Sequence, residues 1–149
     1  MKRLILAAAL CLPSIASSQS TPPQYLQPYG PATRPFSPAV RVGNMLYLAG
    51  QIGTPPDAKG APVAGGIATE TKQVMLNIKD VLEKTGSDLQ HVVKCTVFMA
   101  DMKEWDAMNA VYKTYFSPDK YPARSAFGTS GLALNARVEI ECIDRKSVV

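Results

Sequence analysis

Arg124 stands two residues after Pro122, in Tyr121-Pro122-Ala123-Arg124-Ser125, where a run with strand character begins. A proline that fixes the backbone there presents the planar guanidinium in one orientation, which suits a carboxylate held by two hydrogen bonds. A surface arginine has the same local context, so these residues alone leave its role open. Glu139 and Glu141 alternate with Val138, Ile140 and Cys142. Both carboxylates therefore leave one face of a predicted strand, about 7 Å apart, where like charges must be separated, paired or used. A solvated sheet face is the plain alternative. His91 is the only histidine, so no Ser-His-Asp or Cys-His set can be built without it. It falls between a helix and a strand and reads as an exposed turn residue. Cys95 and Cys142 are chemically able nucleophiles, but no histidine lies near them in sequence and both sit in apolar runs. Gly60, Gly65 and Gly66 lack the Lys-Ser/Thr of a phosphate loop. One histidine and three cysteines argue against a zinc finger or a disulfide-dense scaffold.

These residues must be positioned by one domain, since 149 residues leave no room for two. The chain opens with Lys2 and Arg3, an apolar run from Leu4 to Leu12 broken at Pro13, and the small residues Ser14, Ala16, Ser17 and Ser18. This is the layout of a secretory signal peptide over residues 1–18, with cleavage after Ala16 or Ser18. The run is shorter than the about 20 apolar residues of a membrane span. A lipoprotein box at Cys11 is disfavoured by the bulk of Leu10. The expected location is exported, periplasmic or secreted, with no membrane contact once the leader is gone. The leader takes two of the 16 basic residues and none of the 12 acidic ones, which leaves a net charge of +2. No Lys/Arg run follows Arg3, so the footprint of a nucleic-acid binder is missing and no nucleic-acid partner is expected. Cys11 leaves with the leader. Cys95 and Cys142 could pair in an oxidising compartment, but their apolar context favours two buried thiols.

Six of the twelve prolines lie between Pro22 and Pro38, so residues 19–34 read as a loose, extended arm. The folded domain is expected over residues 35–145, with a tail at 146–149. Ala39–Val42 and Met45–Ala49 flank Gly43-Asn44 and predict a hairpin. Val74, Met75, Ile78, Val81 and Leu82 mark the apolar face of a helix that stops at Gly86. Val92–Met99 predicts a buried strand. Asp101 and Glu104 have the spacing of a reciprocal cap before a second helix, striped by Trp105, Met108, Tyr112, Tyr115 and Phe116. Strands follow at Ala123–Phe127 and Ala136–Ile143. The order ββαβαββ predicts an α+β domain, a mixed sheet with both helices on one face. The other face carries polar and charged residues, so a second subunit with a wet interface is its expected cover.

Six segments in this order resemble the RidA (YjgF) family of imine and enamine deaminases. They are Pro35-Phe36-Ser37-Pro38-Ala39-Val40, Leu48-Ala49-Gly50-Gln51-Ile52, Lys94-Cys95-Thr96-Val97-Phe98-Met99-Ala100-Asp101-Met102, Asn109-Ala110-Val111-Tyr112, Pro122-Ala123-Arg124-Ser125 and Val138-Glu139-Ile140-Glu141-Cys142-Ile143. The resemblance implies a chorismate-mutase-like fold and a homotrimer with sites in the clefts between subunits. It implies hydrolysis of a 2-imino acid or its enamine to a 2-oxo acid and ammonia, with no cofactor and no metal. Arg124 matches the arginine that clamps the substrate carboxylate, and Glu139 the glutamate that positions or activates water. Gly50 and Ala126 fall where main-chain groups line the pocket, and Asn109 matches an asparagine close to the site. Phe36 stands at a substrate-binding position where many members carry tyrosine, and Ala49 where many carry serine, so two hydroxyls are lost. A carboxylate-binding trimer that has lost turnover is therefore the alternative. An RNA-acting protein is opposed by the weak charge and the leader.

Overall fold

The structure is a computed structural model that describes residues 21–56, 58 and 60–145; the predicted leader and the 146–149 tail lie outside the described residues. Among these residues, the order is β1 (Gln24–Leu26), β2 (Ala39–Val42), β3 (Met45–Leu48), β4 (Gln51–Ile52), α1 (Gly66–Lys84), β5 (Val92–Met99), α2 (Trp105–Tyr112), β6 (Ala123–Gly128) and β7 (Val138–Arg145). One sheet runs β1-β2-β3-β7-β5-β6, with β4 also paired to β7. Every pairing is antiparallel except that of β5 with β6. This is the mixed sheet with two helices that the sequence predicts, with β1 added and one predicted strand continued as β4.

Local chemistry accounts for the elements. Gly43, at φ 59°, gives the two-residue turn between Val42 and Met45 its positive φ. The predicted apolar face of α1 is buried at every position named from the sequence. Past Lys84, Gly86 N–H donates to Glu83 O at 3.0 Å and Ser87 N–H to Leu82 O at 2.8 Å, which closes the helix end. In α2 and the turn after it, Met108, Tyr112 and Phe116 are buried, and Trp105 and Tyr115 pack against the same core. The reciprocal cap does not form. Asp101 accepts from Lys103 N–H at 2.9 Å, but Glu104 turns to the Arg137 guanidinium at 2.6 Å, a charged donor that outcompetes a backbone amide.

Two further expectations are corrected. The arm is not loose over residues 24–29. Tyr25 pairs with Val40 across β1 and β2, Leu26 packs on the core, and the Tyr29 hydroxyl donates to Asp80 of α1 at 2.8 Å. The edge of β2 would otherwise expose its backbone donors and acceptors, and a short strand with an apolar anchor satisfies them. Nor do Cys95 and Cys142 stay as thiols. They are buried as expected, but they face each other across β5 and β7 with Cα atoms 4.1 Å apart and are joined by a disulfide.

Register divides the sheet into two faces. Ala39, Leu46, Leu48, Cys95, Val97, Val138, Ile140 and Cys142 turn to the helices and are buried. Val40, Tyr47, Lys94, Thr96, Phe98, Phe127, Glu139, Glu141 and Ile143 share the other, open face, where Tyr47 is 44% and Phe127 54% exposed.

Candidate active site

Arg124 leaves edge strand β6 on the helix side. Its Cα partner is Cys95, a buried core residue, and its guanidinium carbon lies 4.9 Å from the centre of the Trp105 ring and 4.7 Å from that of Tyr112. Ala126, two residues on, faces the same way and packs against the core. Among the described residues, no carboxylate lies within ion-pairing distance of Arg124. The arginine lines a cavity of about 570 Å³ with Asp106, Asn109, Ala110, Tyr112, Lys113, Tyr121 and Pro122. Asn109, the site-proximal asparagine of the sequence reading, is thus beside Arg124. Burial pushes the Tyr112 phenol up to about 12, against a lowering by the Arg124 charge.

Glu139 lies elsewhere. Between the pairs Tyr47–Ile143 and Gln51–Ile140, the first strand holds one residue more than β7. Ala49-Gly50 is therefore a bulge, which bends the strand at the point where β4 begins. The Glu139 carboxylate fills the space beside Gly50: a Cβ there would sit 2.0 Å from Glu139 Oε1. Only glycine lets the side chain lie across the bulge. Burial first, and the charge of Glu141 second, raise the Glu139 pKa above the ordinary glutamate range. Glu139 thus holds a proton at a higher pH than a solvated glutamate, as suits a group that takes and returns one.

The two proposed halves of the site do not meet within one chain. Glu139 pairs through Phe98 to Phe127, three residues beyond Arg124 on β6. That spacing puts the two Cα atoms about 14 Å apart, and the side chains leave opposite faces. Phe36 lies in the segment before β2, 48% exposed, with the Arg34 guanidinium 5.8 Å from its ring centre. His91 is at a turn, its Nδ1 3.0 Å from Asp88 Oδ1, apart from both halves. No three His, Cys, Asp or Glu side chains among the described residues are gathered to hold a metal ion.

The sequence reading did not anticipate the residues that hold the bulge in place. Glu70, buried on α1, accepts from Arg137 N–H at 2.7 Å and so fixes the start of β7, two residues before Glu139. Asn77 donates to Ile52 O at 2.9 Å and Thr54 O at 2.8 Å, and so fixes β4 just beyond Gly50. Both are polar, seven residues apart, and lie on the otherwise apolar face of α1. A polar pair at that spacing on a buried stripe was the available signal.

Comparison with known proteins places this geometry among relatives. A family profile described as endoribonuclease L-PSP matches residues 28–145. A goat protein named 2-iminobutanoate/2-iminopropanoate deaminase is 44% identical over 112 residues, 75% of this chain and 80% of its own. The crystal structure of yeast Mmf1 superposes with a TM-score of 0.73 at 39% identity, covering 83% of this chain and 95% of that one. A Rid-family protein of Yersinia pestis gives a TM-score of 0.75 at 34% identity, over 83% and 99% of the two chains.

Proposed function

The chain belongs to the RidA (YjgF) family, whose profile carries the endoribonuclease L-PSP description, and from that premise we propose that it hydrolyses reactive 2-imino acids and their enamine tautomers to 2-oxo acids and ammonia. The observation that carries this reading is an arginine with no anionic partner among the described residues, lining a cavity, in a chain whose relatives are named for that reaction. Arg124 binds the substrate carboxylate through a charge-assisted pair worth about 1.5–3 kcal/mol. Asn109 and the main chain at Gly50 and Ala126 orient the imine. Water adds to the electrophilic imine carbon as Glu139 takes its proton. Glu139 returns that proton to nitrogen, which gives a carbinolamine; the carbinolamine O–H proton then passes to the nitrogen through Glu139 or water, so that ammonia leaves as the C=O bond forms.

Arg124 and Glu139 act together only across a boundary between copies. The open face supports this, because its aromatic and aliphatic residues need a cover and it carries Glu139. A homotrimer with three shared clefts completes every site by symmetry and leaves the helices outside. Export is part of the proposal. Its support is the leader-like start, together with a buried disulfide that an oxidising compartment would preserve. No helix among the described residues is long and apolar enough to cross a membrane.

A specific observation favours one second reading. Phe36 and Ala49 stand where the resemblance implies a tyrosine and a serine hydroxyl, so carboxylate binding without turnover is the competing outcome. The deciding experiment generates imino acids in situ with an amino-acid oxidase and traps the survivors with semicarbazide. Faster imine loss with the protein, abolished in Arg124→Ala, establishes the deaminase. No acceleration with any imine, while 2-oxo acids still bind, establishes the binding protein.

A further inference from the structure

Arginine is long and flexible, and at an edge strand it has open space to wander in. Arg124 is nevertheless held at both ends. Its backbone pairs with Cys95, which the disulfide ties to β7, and its guanidinium lies over two aromatic rings of α2. Trp105 and Tyr112 are seven residues apart, so they share one face of the helix about 10 Å apart along its axis. A cation between them touches both, as the 4.9 Å and 4.7 Å separations record. Ring faces hold a cation through their quadrupole and leave its N–H groups to an anion. Among the described residues, the arginine side chains that donate hydrogen bonds to protein are Arg41 and Arg137, so the Arg124 donors remain for a ligand.

We propose that Trp105 and Tyr112 are positioning residues that hold the Arg124 guanidinium ready for the substrate carboxylate. This rests on the reading of Arg124 as the carboxylate clamp, and it holds whether or not the protein turns substrate over. The rings do not touch the reacting carbon, so their loss falls on binding. In Trp105→Leu the KM for an imino acid rises about tenfold with kcat within about twofold, and Trp105→Phe, which keeps a ring, restores KM to within about threefold. Tyr112→Leu follows Trp105→Leu, with rescue by Tyr112→Phe. A leucine variant with unchanged KM, or one that loses kcat while KM stays, overturns the proposal. So does a phenylalanine variant that fails to restore KM.

The unaltered protein gives a second readout that needs no foldable leucine variant and no turnover. Trp105 is the only tryptophan, so the intrinsic emission above the tyrosine band is its own. Titration with 2-oxobutanoate changes that emission saturably, and Arg124→Ala abolishes the change. Emission that stays constant while calorimetry shows the oxo acid binding overturns the positioning role. Saturable quenching without imine hydrolysis leaves it standing and sinks the deaminase reading alone.

Discussion

A carboxylate kept partly out of water beside another carboxylate binds its proton more tightly than one in solution, and Glu139 is in that position. As a base it works only when ionised, so kcat/KM falls with decreasing pH at a point above the ordinary glutamate range. Glu141→Gln removes the like charge and moves that acid limb to lower pH, which a pH–rate profile reads. The same shift sets a sign for stability. The folded chain holds the Glu139 proton more tightly than the unfolded one, so stability contributed by the protonated form is lost as pH rises through the raised pKa. Glu139→Gln therefore lowers turnover about 100-fold or more while the protein melts slightly higher at neutral pH. A variant that keeps its turnover removes Glu139 from the mechanism. Gly50→Ala separates position from charge. Its new methyl meets the far end of a flexible side chain, so the melting temperature changes little, but the carboxylate is displaced and activity falls by at least about tenfold. A crystal structure of the variant checks that Glu139 has left the bulge.

Elements carry these residues to their places, and the sequence is uneven in announcing them. The faces of α1 and α2 were legible, because apolar side chains at helical spacing admit one way to be buried. Arg124 and Glu139 were legible as residues, yet their opposite faces were not, because the parity of a strand is set by the neighbours it pairs with. The bulge at Ala49-Gly50 has no local signature beyond a glycine, and the partners that pin it, Glu70 and Asn77, come from a helix twenty or more residues away in sequence. The disulfide was missed for the same reason: two cysteines 47 residues apart become opposite only once β5 and β7 are in register. A bond closing a loop of that length stabilises by about 2–4 kcal/mol through the unfolded chain. The double variant Cys95→Ala, Cys142→Ala melts about 5–15 °C lower, and reductant lowers the melting temperature of the parent but not of the variant. A parent indifferent to reductant would show that the bond adds nothing in solution.

At the scale of the whole molecule, the separation of Arg124 from Glu139 can be tested without a structure of the assembly. Arg124→Ala and Glu139→Gln are each expected to have lost nearly all activity when assayed alone. Unfolded together and refolded at equal amounts, they would place an intact arginine opposite an intact glutamate at about a quarter of the clefts of the proposed trimer. Activity near that fraction is the expected result, and a mixture as dead as its parts would return both residues to one chain. Under the proposed export, the covalent link between β5 and β7 bears on how the chain would mature. Removal of the proposed leader with its Cys11 would leave two cysteines, and two cysteines allow a single intrachain partnership. Maturation then calls for an oxidant but for no enzyme that shuffles wrong bonds, since the one mistake open to the chain is a cross-link to its neighbour.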